Sequence, residues 1–256
     1  MRFQALTLNL QRGLNGSTAQ PTDAATLASA VAGIEADVVA LQEVDRGQPR
    51  SGRQDQAGIV ADALGLPHVR YAATLTGDVR SRTRHSPARS GDHPGPAYGL
   101  ALLSRHPILA WFVLHHPRVP VPLPSWHSGT IARWEDEPRA ALAAVLSTPA
   151  GLVAVCSTHL SLFAPMAAAQ LSRLIRAMDG LVPDGPGLIC GDLNLDPWAV
   201  SPFARGYHFP RALTFPAHEP RRQLDHVLVR NAQVAQVNAR RLRISDHRPL
   251  AVTLTW

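Results

Sequence analysis

Polar boxes end the apolar runs of this chain at four widely separated points: Leu41-Gln-Glu43-Val-Asp45, Ser157-Thr-His159-Leu160, Gly191-Asp192-Leu-Asn194 and Ser245-Asp246-His247. An apolar run of four to eight residues reads as a buried strand, whose end holds a side chain rigidly while the following loop opens onto solvent. The first box lies in the N-terminal fifth and the last only ten residues before the C-terminus. A site that gathers these boxes therefore requires one fold running through residues 1–256. With 45% hydrophobic residues, the 256-residue chain can build one substantial core without a second domain. Acidic oxygens and histidine, with no thiolate pair, suit a hard divalent cation and phosphate chemistry.

Composition narrows the mechanisms. All 25 basic residues are arginine, set against 19 acidic ones for a formal net charge of +6. The absence of lysine is most simply a GC-rich coding bias, yet it excludes a Schiff-base lysine, a P-loop lysine and an adenylated lysine. Guanidinium forks match phosphate oxygens, so the surplus suits an anionic substrate. Net charge alone speaks to nonspecific attraction, which makes nucleic acid one candidate partner and no more. Cys156 and Cys190 fall inside apolar runs, which predicts buried free thiols and neither a disulfide framework nor a zinc site. No charged and then apolar leader precedes the first strand-like segment, and no apolar stretch is long enough to span a bilayer. The expectation is a cytoplasmic protein, taken as a monomer.

Periodicity predicts strands at Phe3–Leu10, Val38–Leu41, His68–Leu75, Tyr98–Ser104, Ile108–Leu114, Ala140–Ser147, Leu152–Ser157, Gly187–Cys190, Leu224–Arg230, Val234–Leu242 and Leu250–Leu254. Helices are expected after the Thr22-Asp23 cap, at Gln54–Leu64 with Gly65 as its stop, and at Ala164–Met178. Strands dominate, with helices interspersed after strand pairs, which points to a layered α/β protein with mixed sheets. Two long loops remain. Thr76–Pro96 carries Arg80, Arg82, Arg84 and Arg89, and His115–Trp134 is rich in proline. Loops of this length in a compact domain contact substrate or are disordered.

Each box has a plain reading and a chemical one. Asn9, at the end of the first strand, is a turn former or a ligand to a hard cation. Glu43, just past a buried strand, is a first exposed residue or a metal-ligating carboxylate. His159 is a hydrogen-bonded strand-end residue or a catalytic group, with Glu137 as its charge partner if the flanking strands pair. Asp192 and Asn194 form an Asx turn, or set a carboxylate and an amide on one phosphoryl displacement. Adjacent Asp246 and His247 lie on a loop, where both reach one site. Asp225 can then orient the imidazole and stabilise its charged form. Singly each reading is plain; together at strand ends they point to one site.

As a set, these residues resemble the endonuclease/exonuclease/phosphatase superfamily, the group with the DNase I-like fold. The resemblance is carried by Asn9 in Leu-Asn-Leu, Glu43 in Leu-Gln-Glu-Val, Tyr98-Gly-Leu-Ala-Leu-Leu-Ser-Arg105, Glu137-Pro-Arg139, Ser-Thr-His159-Leu, Gly-Asp192-Leu-Asn194, Asp225-His-Val and Ser-Asp246-His247-Arg-Pro, with Thr214-Phe-Pro216 as a further short segment. It runs the length of the chain in the family's order. It implies a four-layer αββα sandwich of two packed mixed sheets, and Mg²⁺ or Mn²⁺ at Glu43 with Asn9 and Asp246. It also implies hydrolysis of a phosphate ester by in-line attack of water. By the same resemblance His247, paired with Asp225, is the general base; Asp192 is the next proton carrier; His159 and Asn194 hold the phosphoryl oxygens. His159 stands where the apurinic-site endonucleases of the group generally carry tyrosine, which argues against that branch. The leading expectation is a phosphodiesterase, with nucleic acid as one candidate substrate. The alternatives are a phosphatase or phosphodiesterase for a small molecule or lipid headgroup, its pocket roofed by Trp126, Trp134 or Trp198, and an inactive phosphate-binding scaffold.

Overall fold

The central strands are buried on both faces, as they must be in two sheets that pack on each other and carry helices outside. The computed structural model describes residues 1–15, 20–80, 85–88, 95–120, 123–127 and 130–256, with the backbone alone at 123–127 and 130–134. Arg82, Arg84 and Arg89, and the side chains of Trp126 and Trp134, lie outside the described residues. In chain order the strands are β1 (Arg2–Asn9), β2 (Val38–Arg46), β3 (His68–Gly77), β4 (His85–Pro87), β5 (Ala97–Ser104), β6 (Ile108–His115) and β7 (Leu123–His127). Then come β8 (Thr130–Trp134), β9 (Ala140–Thr148), β10 (Gly151–His159), β11 (Gly187–Asp192), β12 (Asp225–Arg230), β13 (Gln233–Asn238) and β14 (Leu250–Thr255). The helices are α1 (Ala24–Val31), α2 (Gln56–Leu64), α3 (Ala164–Asp179) and the single turn α4 (Pro197–Val200).

One sheet runs β13-β14-β1-β2-β5-β3-β4 and the other β12-β11-β10-β9-β6, with β7 and β8 a separate hairpin. Period-two alternation sends successive side chains of β1 to opposite faces. Phe3 and Ala5 join a core that also holds Leu142, Val153 and Val155 of the second sheet, whereas Leu6 and Leu8 face Leu27 of α1 and Val60 of α2. A third core sets Leu171, Leu174 and Met178 of α3 against Ile189 and Leu228. The layers are thus helix, sheet, sheet, helix, as expected. Asp23 caps α1 by accepting from the Thr26 N–H (2.7 Å), and Gly65 ends α2 in the left-handed region. Cys156 and Cys190 are buried free thiols. No helix among the described residues is long and apolar enough to cross a membrane.

Three local differences from the sequence reading bear on the site. Strand β2 does not stop at Leu41: it continues to Arg46 through a bulge in which Gln42 and Glu43 together face the single residue Leu100. Glu43 therefore sits inside a strand, with φ of 53°, in a conformation that costs a non-glycine residue free energy and re-aims its side chain. Strand β13 ends at Asn238, short of Leu242. The two long loops contribute β4 to the first sheet and the β7–β8 hairpin.

Candidate active site

Strand register brings two of the boxes and Asp225 into a row. In the second sheet His159 at the end of β10 is the parallel partner of Asp192 at the end of β11, and Asp192 is the antiparallel partner of Asp225 at the start of β12. The facing sheet supplies Asn9 from the end of β1 and Glu43 from the β2 bulge. The loop into β14 returns Asp246 and His247 to the same edge, because β14 runs antiparallel to β1. Ser245 fixes that loop: its hydroxyl donates to the Asn9 carbonyl (2.7 Å) and accepts from the His247 N–H (3.0 Å).

Hydrogen bonds tie the two halves together. The Asn9 amide donates to Glu43 Oε1 at 3.1 Å and to Asp192 Oδ2 at 3.0 Å, so one side chain bridges the sheets. Its oxygen accepts from the Gln11 N–H at 3.0 Å. That bond fixes the amide orientation, so the Asn9 NH2 spaces two carboxylates while its oxygen keeps a second lone pair. His247 Nδ1 donates to Asp225 Oδ2 at 2.8 Å, and its Nε2 lies 3.7 Å from Asp192 Oδ2. His159 Nε2 lies 3.6 Å from the same Asp192 oxygen. Asn194 closes the expected Asx turn, its N–H donating to Asp192 Oδ1 (2.9 Å), and its amide donates to the Leu160 carbonyl (3.0 Å). Glu137 does not pair with His159: it lies 3.3 Å from Arg139, on the edge of the cleft, and Asp192 is the carboxylate beside His159.

Burial sets the charges. Asn9, His159, Asp192, Asp225 and His247 are all buried, and Glu43 and Asp246 half-buried. Burial raises the Asp192 carboxyl, the Asp225 charge adds to it, and His247 with two hydrogen bonds opposes, leaving it at about 6. Burial alone would lower His247, but the charges of Asp225 and Asp192 and the Asp225 hydrogen bond outweigh it and lift the imidazole to about 10. His159 is pushed well below its ordinary value, first by burial and then by the positive charges of Arg139 and His247, so it is a neutral donor. Asp246 is raised by burial and, further, by the Glu43 charge.

Two donor sets in this cleft suit a divalent cation. One atom each of Asp192, Asp225 and His247 lie within 4.8 Å of one another, and Asp225 Oδ1 is buried with no hydrogen-bond partner. The other is Glu43 with Asp246, near enough for one charge to raise the other and without an arginine partner among the described residues.

Several contributors stand in the quoted motifs but receive no role from the sequence alone. Gln42 donates to Ser157 Oγ across the sheets (3.1 Å), and the Ser157 hydroxyl donates to the Leu41 carbonyl (2.9 Å), pinning the β2 bulge from below. Phe215 packs on His247 with ring centroids 4.8 Å apart. Arg139 is buried with Nε unpartnered, and its charge reaches both His159 and Tyr98. Conversely, Asp45 of the first box is held by Arg50 through two hydrogen bonds of 2.9 and 2.7 Å, and His226 is buried with Nε2 on the Leu195 carbonyl (2.9 Å), so both are structural. Trp198 is 77% exposed.

Residues 6–247 match the sequence pattern of the Endonuclease/Exonuclease/phosphatase family. Among curated proteins no sequence match was found. Among solved structures, the chain is similar to an endonuclease/exonuclease/phosphatase from Beutenbergia cavernae (23% identity, 99% of this chain and 71% of that one, TM-score 0.67). It is also similar to the human Nocturnin catalytic domain with bound sulfate (16%, 99% and 94%, 0.68). A third similar structure is truncated Caenorhabditis elegans TDP2 (15%, 100% and 98%, 0.65).

Proposed function

Since the chain belongs to the Endonuclease/Exonuclease/phosphatase family, we propose that it is a divalent-metal-dependent hydrolase of phosphodiesters. The observation that carries this reading is the relay Asp225–His247–Asp192: Nδ1 of His247 is committed to Asp225 at 2.8 Å, which leaves Nε2 facing Asp192 at 3.7 Å. The water oxygen bonds to phosphorus as the bond to the leaving oxygen breaks. One proton passes from water to the Asp192–His247 pair, and one is returned to the leaving group from the same pair. Such a pair contributes roughly 10²–10⁴-fold. Neutral His159 and the remaining Asn194 amide hydrogen donate to the phosphoryl oxygens as charge builds on them. Arg139, whose nearest carboxylate is Glu137 at 3.3 Å, supplies positive charge to the same oxygens. Glu43 and Asp246 hold Mg²⁺ or Mn²⁺, with Asn9 keeping Glu43 apart from Asp192. The cation, when bound, polarises the phosphoryl group and offsets the two carboxylate charges. The sulfate on the similar Nocturnin domain is a tetrahedral anion of the kind this reading requires.

Purified protein supplied with Mg²⁺ or Mn²⁺ is expected to hydrolyse bis(p-nitrophenyl) phosphate. His247→Ala should remove most of that turnover while thermal unfolding stays cooperative; wild-type turnover in this variant eliminates the relay.

A further inference from the structure

Among the described residues, four of the ten large apolar side chains left exposed lie on segments that leave the second sheet at one end, the end that carries the candidate site. Leu162 and Phe163 follow His159 off β10, Trp198 follows Asp192 off β11, and Leu213 precedes Asp225 on the way into β12. Because His159, Asp192 and Asp225 are register partners, all three segments leave the sheet at one edge. Hydrogen bonds lace the first two there: the Leu160 N–H donates to the Asp192 carbonyl, and the Asn194 amide donates to the Leu160 carbonyl, both at 3.0 Å. The remaining exposed apolar residues are dispersed. Leu152 begins β10 at the opposite end, and Leu109 and Trp111 lie on the edge strand β6. Single exposed apolar residues need no explanation, whereas a group of them rimmed by charge marks an interaction surface.

Charge at this rim is positive. The rim segments hold Arg211, Arg221 and Arg222 against Asp196 and Glu219. Asp196 is held by Arg222 at 2.8 Å and Glu219 by Arg221 at 2.9 Å. Arg211 is exposed and has no carboxylate ion pair among the described residues. A cavity of about 490 Å³ sets Trp198 and Leu213 beside Arg211, floored by the Asp196–Arg222 pair.

Exposed Trp, Phe and Leu beside the unpaired Arg211 and the paired Arg221 and Arg222 suit one environment above others, a bilayer surface bearing anionic headgroups. There indole and phenyl rings sit at headgroup depth, aliphatic side chains reach the acyl boundary, and guanidinium groups meet phosphate. We infer that this rim docks the protein onto an anionic phospholipid bilayer, so that the phosphoester the site hydrolyses is one presented at that surface. The last clause rests on the proposed hydrolysis; the docking does not. Single-stranded nucleic acid would also engage an exposed indole and arginines, but it gives Leu162, which is 59% exposed, and Phe163 nothing to bury against.

The test is cosedimentation with vesicles, metal chelated throughout. Wild-type protein is expected to bind vesicles of equal parts phosphatidylcholine and phosphatidylglycerol about tenfold or more tighter than pure phosphatidylcholine, and to bind less as salt rises. Trp198→Ala should weaken that binding by about tenfold, and the pair Leu162→Ser with Phe163→Ser comparably, all with unchanged thermal unfolding. Trp111→Ala, on the far edge strand, should bind as wild type. No vesicle binding by the wild type, no loss in Trp198→Ala, or an equal loss in Trp111→Ala overturns the inference. So does intact vesicle binding by Trp198→Ala together with weakened binding of fluorescein-labelled oligothymidylate, which would make the indole a nucleobase platform. Vesicle binding without phosphodiester hydrolysis sinks the proposed function alone; hydrolysis without vesicle binding sinks this inference alone.

Discussion

Gly191→Ala tests how closely the second sheet must pack to set the site. A Cβ built on Gly191 would lie 2.0 Å from the Thr158 carbonyl oxygen, with two further backbone atoms of Thr158 at 2.9 and 3.0 Å, where ordinary contact begins at 3.4 Å. The obstruction is backbone, so no side chain can swing aside, and β10 and β11 must part by more than an ångström. Overpacking of this kind costs about 1–3 kcal/mol, and at about 2–4 °C per kcal/mol for a chain of this size the melting temperature falls by several degrees. The catalytic consequence is larger. Thr158 precedes His159 and Gly191 precedes Asp192, so the separation falls directly on the 3.6 Å His159–Asp192 contact. A displacement of ~1 Å at reacting groups costs on the order of 10²-fold. Turnover of bis(p-nitrophenyl) phosphate, measured well below the melting transition, is expected to drop by about that factor, in excess of anything the unfolded fraction explains. Gly180→Ala is the control, since its added Cβ meets nothing within 4 Å. A Gly191→Ala protein with wild-type melting and wild-type turnover would refute the reasoning.

Other expectations follow from the same geometry. With metal chelated, the raised His247 pKa gives stability that is fully present below its ordinary 6.5 and lost as pH climbs through about 10. Melting temperature should therefore fall between pH 7 and 10 in the wild type and fall less in His247→Gln; parallel curves would contradict the ion-pair assignment. His226 is lowered by burial to about 4, so its contribution is intact above 6.5 and fades as pH drops toward 4. His226→Gln should accordingly flatten the acid limb of the same curve, and an unchanged limb would place the acid sensitivity elsewhere. Ser157→Ala strands the buried Gln42 amide and should cost about 1–3 kcal/mol, read as a lower melting temperature; no change would mean the inter-sheet bridge is dispensable.

Much of this site was legible because strands advertise themselves. Period-two alternation in Phe3–Leu10 and unbroken apolar runs such as Val153–Cys156 mark where β1 and β10 lie, and a polar residue at the end of such a run has few places to go. What one sequence does not encode is which ends meet. Register decides that His159, Asp192 and Asp225 form a row, and it is set by long-range pairing. The Glu43 bulge was missed because an extra residue in a strand leaves no local mark; its positive φ is stabilised by tertiary contacts such as the Gln42–Ser157 bond. The two bonds that the Asn9 amide donates, to Glu43 and to Asp192, depend on tertiary placement and leave no mark in the sequence. Glu137 was assigned to His159 across strands when Arg139, two positions along the same segment, is its partner. Trp198 reads as core or roof from composition, and exposure is a property of the assembled surface.

The central claim is that side chains distributed from Asn9 to His247 form one metal-dependent phosphodiester-cleaving site. It is tested most directly by the initial rate of bis(p-nitrophenyl) phosphate hydrolysis across a Mg²⁺ titration, run on wild type and Glu43→Gln together. The predicted result is saturable, metal-dependent turnover whose midpoint moves to about tenfold or more higher Mg²⁺ in Glu43→Gln. A wild type inert at every Mg²⁺ and Mn²⁺ concentration, or two superimposable curves, would contradict it.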